Sequence, residues 1–501
     1  MIRKTSLLNL ASGITLQVIT AISGLVLPSL ILHTYGSVLN GLVSMVTQMM
    51  AYLSLVEMGI TAASLVSLYK PMASKDYELA SSIFSAVNRF YHRVALIFAA
   101  GSIGGGFLVM LVNKDDIPVS TIWFIVFALS GSNFVSYWFL NKYKVLLRAS
   151  DKLYIINLSQ IVGTIVQFIC SVCIIHRRYN IGVLKALIIG INILEWLILL
   201  TYCKRHFPKI SVHVTPKFDA IKQRKDVLIH QVLSLVLNNT DVLLLSVFSA
   251  SLSIVSIYTT YNLVLTLIYN VANTIIGMFS SHMNQMYSIG EKEKVKAILD
   301  KYEIVFDTVL FGLYISMALL VLPFISLYTR GVTDAEYYNP SIGLLFSIYG
   351  ITRMIRLPYT ELTYSVGNYK ETKNQAIIEA LINIVVSIAL LPSFGIPGVL
   401  IGSIAGEIYR TIHSYIFCYQ KVLTFDWQKS VLLTIVDVAL FVAFYAVFEG
   451  TRKEIFETYY GFFVRAITVG LIVILSVAII NICIGISYKH LKQIINKGNL
   501  I

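Results

Sequence analysis

Apolar residues run in long stretches along this chain, broken by short polar loops. A membrane-crossing helix needs about 20 mostly apolar residues. That rule predicts fourteen of them, at roughly 8–32, 42–68, 94–112, 119–140, 153–175, 182–202, 227–249, 253–279, 304–328, 340–358, 375–391, 395–418, 430–448 and 464–487. One basic, polar stretch, Lys204 to Asp226, interrupts the pattern with Lys204, Arg205, Lys209, Lys217, Lys222, Arg224 and Lys225, together with Pro208 and Pro216. Laid beneath the first half at an offset of about 216 residues, the second half matches it run to run and loop to loop, as an internal repeat does. Ile181-Gly182-Val183 falls on Pro397-Gly398-Val399, Ala149-Ser150-Asp151 on Ser365-Val366-Gly367, and the polar turn at Lys75 on Glu291 and Lys292. The expected architecture is an all-α integral membrane protein. It has an N-terminal six-helix lobe (1–203), a basic cytoplasmic linker (204–226), a C-terminal six-helix lobe (227–420), and two appended helices with a tail (421–501). Six crossings return the chain to its starting side, so the repeats are parallel and related by a pseudo-twofold axis along the membrane normal.

Composition supports this reading. Of the 501 residues 57% are hydrophobic and only 13% charged, with a mean hydropathy of +0.76, whereas soluble domains carry about 25% charge. A formal net charge of +13 would suit nucleic acid only if the basic residues gathered on one face or in a tail. They fall instead in short loops, so no nucleic-acid partner is expected. Orientation follows from the excess of Lys and Arg in cytoplasmic loops. With the N-terminus inside, 28 of the 39 basic residues lie in inner loops and tails and about 7 in or at the edge of outer loops, so both termini are predicted to be cytoplasmic. Arg3 and Lys4 precede a first apolar run without a small-residue cleavage site, which reads as a retained helix. Cys170, Cys173, Cys203, Cys418 and Cys483 lie in or beside apolar runs, where packing is the expected role rather than a disulfide framework or a metal site. Asp76–Arg93 and Glu291–Glu303 mix charged and apolar residues, and both are expected to be amphipathic cytoplasmic helices at the headgroups.

Enzyme chemistry has no candidate residues here. No phosphate loop, zinc-protease motif or nucleophile elbow occurs. The longest outer loop, about 449–463, is short, and Asp115, Asp116, Asp334 and Glu336 read as solvated turns. No catalytic residue, resident metal or cofactor is expected. The informative residues are ionisable groups inside the predicted spans, where each costs about 2.5–3.5 kcal/mol unless it faces protein or a water-filled cavity. Span two carries Glu57. Span seven carries Asp241, with Asn238 close to one turn before it on the same face. Span ten carries Arg353 and Arg356, and span twelve Glu407 and Arg410. Asp241, Asn238, Glu57 and Glu407 are the candidates for lining a cavity or coupling to an ion. Their bland alternatives are snorkelling for the span-ten arginines, an internal Glu407–Arg410 pair, and capping by Glu57. Glu195, Glu379 and Asp437 lie nearer helix ends and read as structural.

Tyr35-Gly36, Asn40-Gly41-Leu42, Glu57-Met58-Gly59-Ile60 and Lys70-Pro71 together resemble the opening of bacterial polysaccharide flippases of the Wzx or RfbX type. So do Asp241 in span seven, Ile257-Tyr258 in span eight and Gly395-Ile396-Pro397-Gly398 before span twelve. These lipid-linked oligosaccharide exporters belong to the multidrug/oligosaccharidyl-lipid/polysaccharide exporter superfamily, whose members have two six-helix lobes. The related lipid II flippases add two helices, as spans thirteen and fourteen would here. The resemblance covers nearly the whole chain.

It implies a flippase of the bacterial plasma membrane that moves an undecaprenyl-diphosphate-linked oligosaccharide to the outer leaflet by alternating access, for capsule or O-antigen assembly. The partners it implies are the lipid-linked substrate, membrane lipids, and polysaccharide polymerase and chain-length machinery. Arg353, Arg356 and Arg410 are then the substrate-binding candidates, because guanidinium groups engage diphosphate oxygens in bidentate fashion. By the same resemblance Asp241 is a candidate coupling site for sodium or a proton, with Glu379 and Asn383 of span eleven nearby in function. Two further readings stay open: a cation-coupled multidrug or small-molecule antiporter of the same superfamily, and a membrane polysaccharide polymerase or ligase.

Overall fold

The computed structural model describes residues 4–58, 60–113, 117–221, 225–249, 251–288, 292–365, 367–423 and 427–498. Glu291, Asp115, Asp116, Gly59, Val366, Lys222 and Arg224 of the sequence reading lie outside the described residues. The chain falls into two compact units, Met1–Ser256 and Ile257–Ile501.

The first unit holds α1 (Lys4–Leu53), α2 (Ile60–Ser74), α3 (Tyr77–Asn113), α4 (Val119–Val135), α5 (Asn141–Ala149), α6 (Leu153–His176), α7 (Ile181–His206), α8 (Lys225–Phe248) and the start of α9 (Ser253–Ser288). The second holds the rest of α9, then α10 (Lys292–Tyr328), α11 (Pro340–Met354), α12 (Leu357–Ser365), α13 (Tyr369–Phe394), α14 (Ile396–Phe417), α15 (Gln428–Val447), α16 (Glu449–Arg452) and α17 (Tyr459–Gly498). The described residues form helices and no strands, as predicted.

Among the described residues, eleven helices are long and apolar enough to cross a membrane. The difference from fourteen has local causes. The first candidate, Leu7–Glu57, contains two predicted spans. It is continuous only formally, because Gly36 sits at φ 82° and ψ 172°, outside helical geometry and in a region that favours glycine. The second predicted span breaks again at a tight 3-10 turn, Ser54–Glu57. Span ten is the 15-residue α11, cut short after Met354, and span twelve is the 22-residue α14, which carries Glu407 and Arg410. The chain is a multi-pass membrane protein with about fourteen spans.

Burial follows from a solvent that is itself apolar. Ile467, Leu471, Leu475, Ile479, Ile482 and Ile486 make one exposed stripe on α17, and Ile14, Val18 and Ile22 another on α1. Hydrocarbon accepts such faces without cost, whereas polar groups must turn inward. α10 is the central helix of the second unit, with 78% of its most apolar window buried.

The Asp76–Arg93 segment differs from expectation. It is not a separate surface helix: it forms the first turns of the 37-residue α3. Ala80, Ser81, Ile83, Phe84, Ser85, Ala86 and Val87 are buried, and the basic linker covers part of that face. The Ser85 hydroxyl donates to the Val212 and Val214 carbonyls at 2.9 and 2.8 Å, and the Lys217 N–H donates to the Ser82 carbonyl at 3.2 Å. The Ser85 hydroxyl and the Ser82 carbonyl of the segment are thus paired with linker backbone. The matching helix expected at Glu291–Glu303 falls partly outside the described residues.

Candidate functional site

The second unit gathers its charges around a close helical hairpin. Gly395, at φ 59°, turns the chain from α13 into α14, and Pro397 sits in the first turn of α14, where a missing N–H is harmless. Gly398, Gly402 and Gly406 then recur at every fourth position against α13. A Cβ added at Gly398 would stand 2.6 Å from the Leu390 carbonyl oxygen, one at Gly402 2.6 Å from the Ser387 nitrogen, and one at Gly406 2.9 Å from the Glu379 carbonyl oxygen. Such small residues let helix backbones approach closely in membranes. The result is that Glu407 and Arg410, just past Gly406, face Glu379 across the hairpin.

Four charged side chains meet there. The Arg356 guanidinium, in the break between α11 and α12, donates from Nε to Glu407 Oε2 at 2.8 Å and from NH2 to Glu379 Oε1 at 2.9 Å. Arg410 Nε lies 3.6 Å from Glu379 Oε2, while its other nitrogens donate to the Thr372 carbonyl at 3.0 Å and the Tyr364 hydroxyl at 3.1 Å. Arg410 is 1% exposed, Glu379 2% and Glu407 5%. Two guanidinium groups and two carboxylates are therefore balanced, each with hydrogen bonds of good length, which is the condition for a buried ion pair to be tolerated.

Arg353 lies beside this network, within electrostatic reach of Glu407 and Glu379. Its guanidinium lies 4.6 Å from the centre of the Tyr269 ring and 5.9 Å from that of Tyr349, whose hydroxyl it approaches at 3.5 Å. It is half-buried, as is Arg356. Of the span-eleven groups, Asn383 donates to the Ser403 hydroxyl at 2.7 Å.

In the first unit, Asp241 is 2% exposed on α8. Next to it Thr240 shares a 2.7 Å hydrogen bond with the Tyr52 hydroxyl, and Tyr52 feels the Asp241 charge. Asn238 lies on an exposed part of α8 and donates to the Ser234 carbonyl at 2.7 Å. Glu57 ends the 3-10 turn, with Tyr91, Tyr137 and Lys144 as its electrostatic neighbours; Lys144 also lies 3.5 Å from Glu195. The Asn40-Gly41 pair has a clear packing role. Asn40 donates to the Ser256 hydroxyl at 2.8 Å, and a Cβ at Gly41 would overlap the Leu252 carbonyl.

The sequence reading did not find the other polar centre of the second unit. Glu303 and Asp307 on α10 are buried, and so are Lys429 and Asp437 on α15 and Asn481 on α17. Glu303 Oε1 accepts from the hydroxyls of Tyr359 at 2.7 Å, Tyr419 at 2.8 Å and Ser430 at 2.8 Å, with Lys429 4.0 Å from Oε2. The available signal was the i, i+4 spacing of Glu303 and Asp307, which puts two carboxylates on one helix face.

No family model and no curated protein sequence matches the chain. Solved structures do. The chain is similar to the lipid II flippase MurJ in an inward closed conformation, with a TM-score of 0.66 at 16% identity over 95% of this chain and 99% of that one. A multidrug resistance MATE family transporter of the MOP superfamily, in an inward-facing conformation, matches with a TM-score of 0.56 at 15% identity, over 84% of this chain and 95% of that one. The eukaryotic MATE transporter AtDTX14 gives 0.51 at 14% identity, over 84% and 98%. The fold is that of multi-pass membrane transporters. Within that class it is the fold shared by the MurJ flippase and the MATE transporters.

Proposed function

We propose that this protein is a bacterial lipid-linked oligosaccharide flippase of the Wzx type. It would carry an undecaprenyl-diphosphate-linked repeat unit from the cytoplasmic to the outer leaflet of the plasma membrane by alternating access, with both termini cytoplasmic. The observation that carries this reading is the reach of the likeness to the lipid II flippase. With 95% of 501 residues covered, about 25 are unmatched, fewer than the 40 of α17 alone. The match therefore extends into the appended helices.

The side chains are compatible with such a cargo. Arg356 is half-buried and already binds two carboxylates, and phosphate oxygens can take the same fork of donors. Arg353 offers a second guanidinium held on tyrosine rings. Arg410, sealed inside, orients Glu379 and so the pair that Arg356 would exchange for diphosphate. Outward movement of two negative charges is favoured by an inside-negative potential, by about 2.3 kcal/mol per charge per 100 mV, so nucleotide hydrolysis is not required. The reading is of a transporter rather than an enzyme, with polymerase and chain-length proteins downstream. Asp241 is proposed as the residue that couples transport to sodium or a proton. Unchanged export by Asp241→Ala and Asp241→Asn variants at normal abundance would remove that role.

The test is reconstitution of the full chain in vesicles holding a fluorescent undecaprenyl-diphosphate oligosaccharide. An impermeant glycosidase outside should digest the inner-leaflet substrate only when protein is present, and Arg356→Ala should slow this at least tenfold. Equal protection with and without protein would overturn the proposal.

A further inference from the structure

The centre formed by α10, α15 and α17 has a charge problem that the hairpin network does not. Among the described residues it contains three buried carboxylates, Glu303 (1% exposed), Asp307 (4%) and Asp437 (0%), and one ammonium, Lys429 (9%). Fully ionised, it would hold two uncompensated negative charges away from water. An isolated carboxylate in such a medium is so costly that the group takes up a proton instead.

The surroundings decide which carboxylates do so. Glu303 is served as an anion by three hydroxyl donors on Oε1; its Oε2 has no hydrogen-bond donor, and the Lys429 ammonium lies 4.0 Å from it. Asp437 has no such support: Asn481 Nδ2 donates to its Oδ2 at 3.3 Å, whereas its Oδ1 is buried with no hydrogen-bond partner. Asn481 is itself 0% exposed, its Nδ2 also reaching Thr308 Oγ1 at 3.4 Å, and its carbonyl oxygen is likewise buried without a donor. Asp307 is buried, with Asp437 and Glu303 as like-charged neighbours and Lys429 as the opposing charge. Among the described residues, the other titratable groups facing the centre are Tyr302 on α10, Tyr359 and Glu361 on α12, Tyr415 on α14 and Tyr419. None of these adds positive charge. The centre thus has too much negative charge and too few donors, and a carboxyl proton remedies both at once. A metal ion is the other remedy, but among the described residues no group of three or more His, Cys, Asp or Glu side chains is arranged to hold one.

We propose that Asp307 and Asp437 form a proton-binding site at the junction of α10, α15 and α17, holding two protons while Glu303 remains ionised against Lys429. The site is independent of the substrate assigned above. It makes the appended helices a proton-carrying element.

The test is infrared difference spectroscopy of the full chain in lipid vesicles, with carbon-13 in all aspartate carboxyls and Asp241→Asn as background to remove the other aspartate buried among the described residues. At neutral pH an isotope-shifted carbonyl stretch of protonated carboxylic acid is expected, lost on raising the pH. Asp307→Asn and Asp437→Asn should each remove about half of it, since each holds one of two protons. No shifted band at neutral pH would overturn the proposal, as would a band undiminished by either substitution or one that appears only when sodium is withdrawn. Should one variant fail to fold, the other single variant and the unsubstituted background decide.

Discussion

Two buried polar centres in the second unit solve the same problem differently. At the α13–α14 hairpin, two arginines meet two glutamates: Arg356 is at hydrogen-bond distance from both carboxylates, and Arg410 Nε is 3.6 Å from Glu379, with its other nitrogens bonded to Thr372 and Tyr364. At the α10–α15–α17 junction, three carboxylates share one lysine, and carboxylate and amide oxygens are left without donors. The first centre is stable as an ionic network, so removing any member strands its partner. The second is stable only when partly neutralised, so replacing a carboxylate with an amide imitates a state it already holds.

The largest effect is expected from Arg410→Ala. It leaves the Glu379 charge short of a partner and removes donors to Thr372 and Tyr364. Breaking a buried pair from one side costs about 3–5 kcal/mol, which thermal unfolding in detergent would register as a large drop in midpoint. Arg410→Lys should recover only part of it, because a single ammonium cannot reach all three partners. An unchanged midpoint in the alanine variant would show that the hairpin does not depend on this network. Next comes Glu379→Gln, at about 2–4 kcal/mol, since it withdraws charge from both arginines at once. Gly402→Val should follow at about 1–3 kcal/mol, through overpacking against Ser387 and the α13 backbone. If the proposed function holds, it should also slow transport, because it shifts Glu407 and Arg410 relative to Glu379.

The two centres were unequally legible in the sequence. Apolar run lengths predicted the all-α membrane fold, because in hydrocarbon every backbone polar group must be satisfied within its own segment. Arg353, Arg356, Glu407 and Arg410 stood out because each lies inside an apolar run. Their pairing was not readable. Glu407 and Arg410 are three apart on one helix, yet they pair with groups from other segments, Arg356 and Glu379, and the close approach permitted by Gly398, Gly402 and Gly406 allows this. That spacing was itself visible in the sequence. Glu303 was hidden differently: it falls at the very edge of its predicted span, where charge ordinarily meets headgroups, and its burial depends on Tyr359, Tyr419 and Ser430, which lie 56 or more residues away. The 3-10 turn at Glu57 and the kink at Gly36 leave no mark in hydropathy, which averages over them.

The smallest stability effect, and the one that separates the two centres most sharply, is expected from Asp437→Asn. By burial alone this aspartate is as inaccessible as Arg410, at 0% and 1% exposed, so a rule that buried charges are costly to remove predicts similar losses. The charge count predicts otherwise. If Asp437 is neutral in the folded protein, the amide keeps an oxygen to accept from Asn481 and supplies donors toward the unpartnered acceptor oxygens. The change should then stay within about 1 kcal/mol of the parent, as surface-like substitutions do, and it can even stabilise the protein. The same unfolding measurement that reports the Arg410→Ala loss serves as the control. A loss of several kcal/mol in Asp437→Asn would mean that the carboxylate is ionised and bound to a cation, and that the two centres are balanced in the same way.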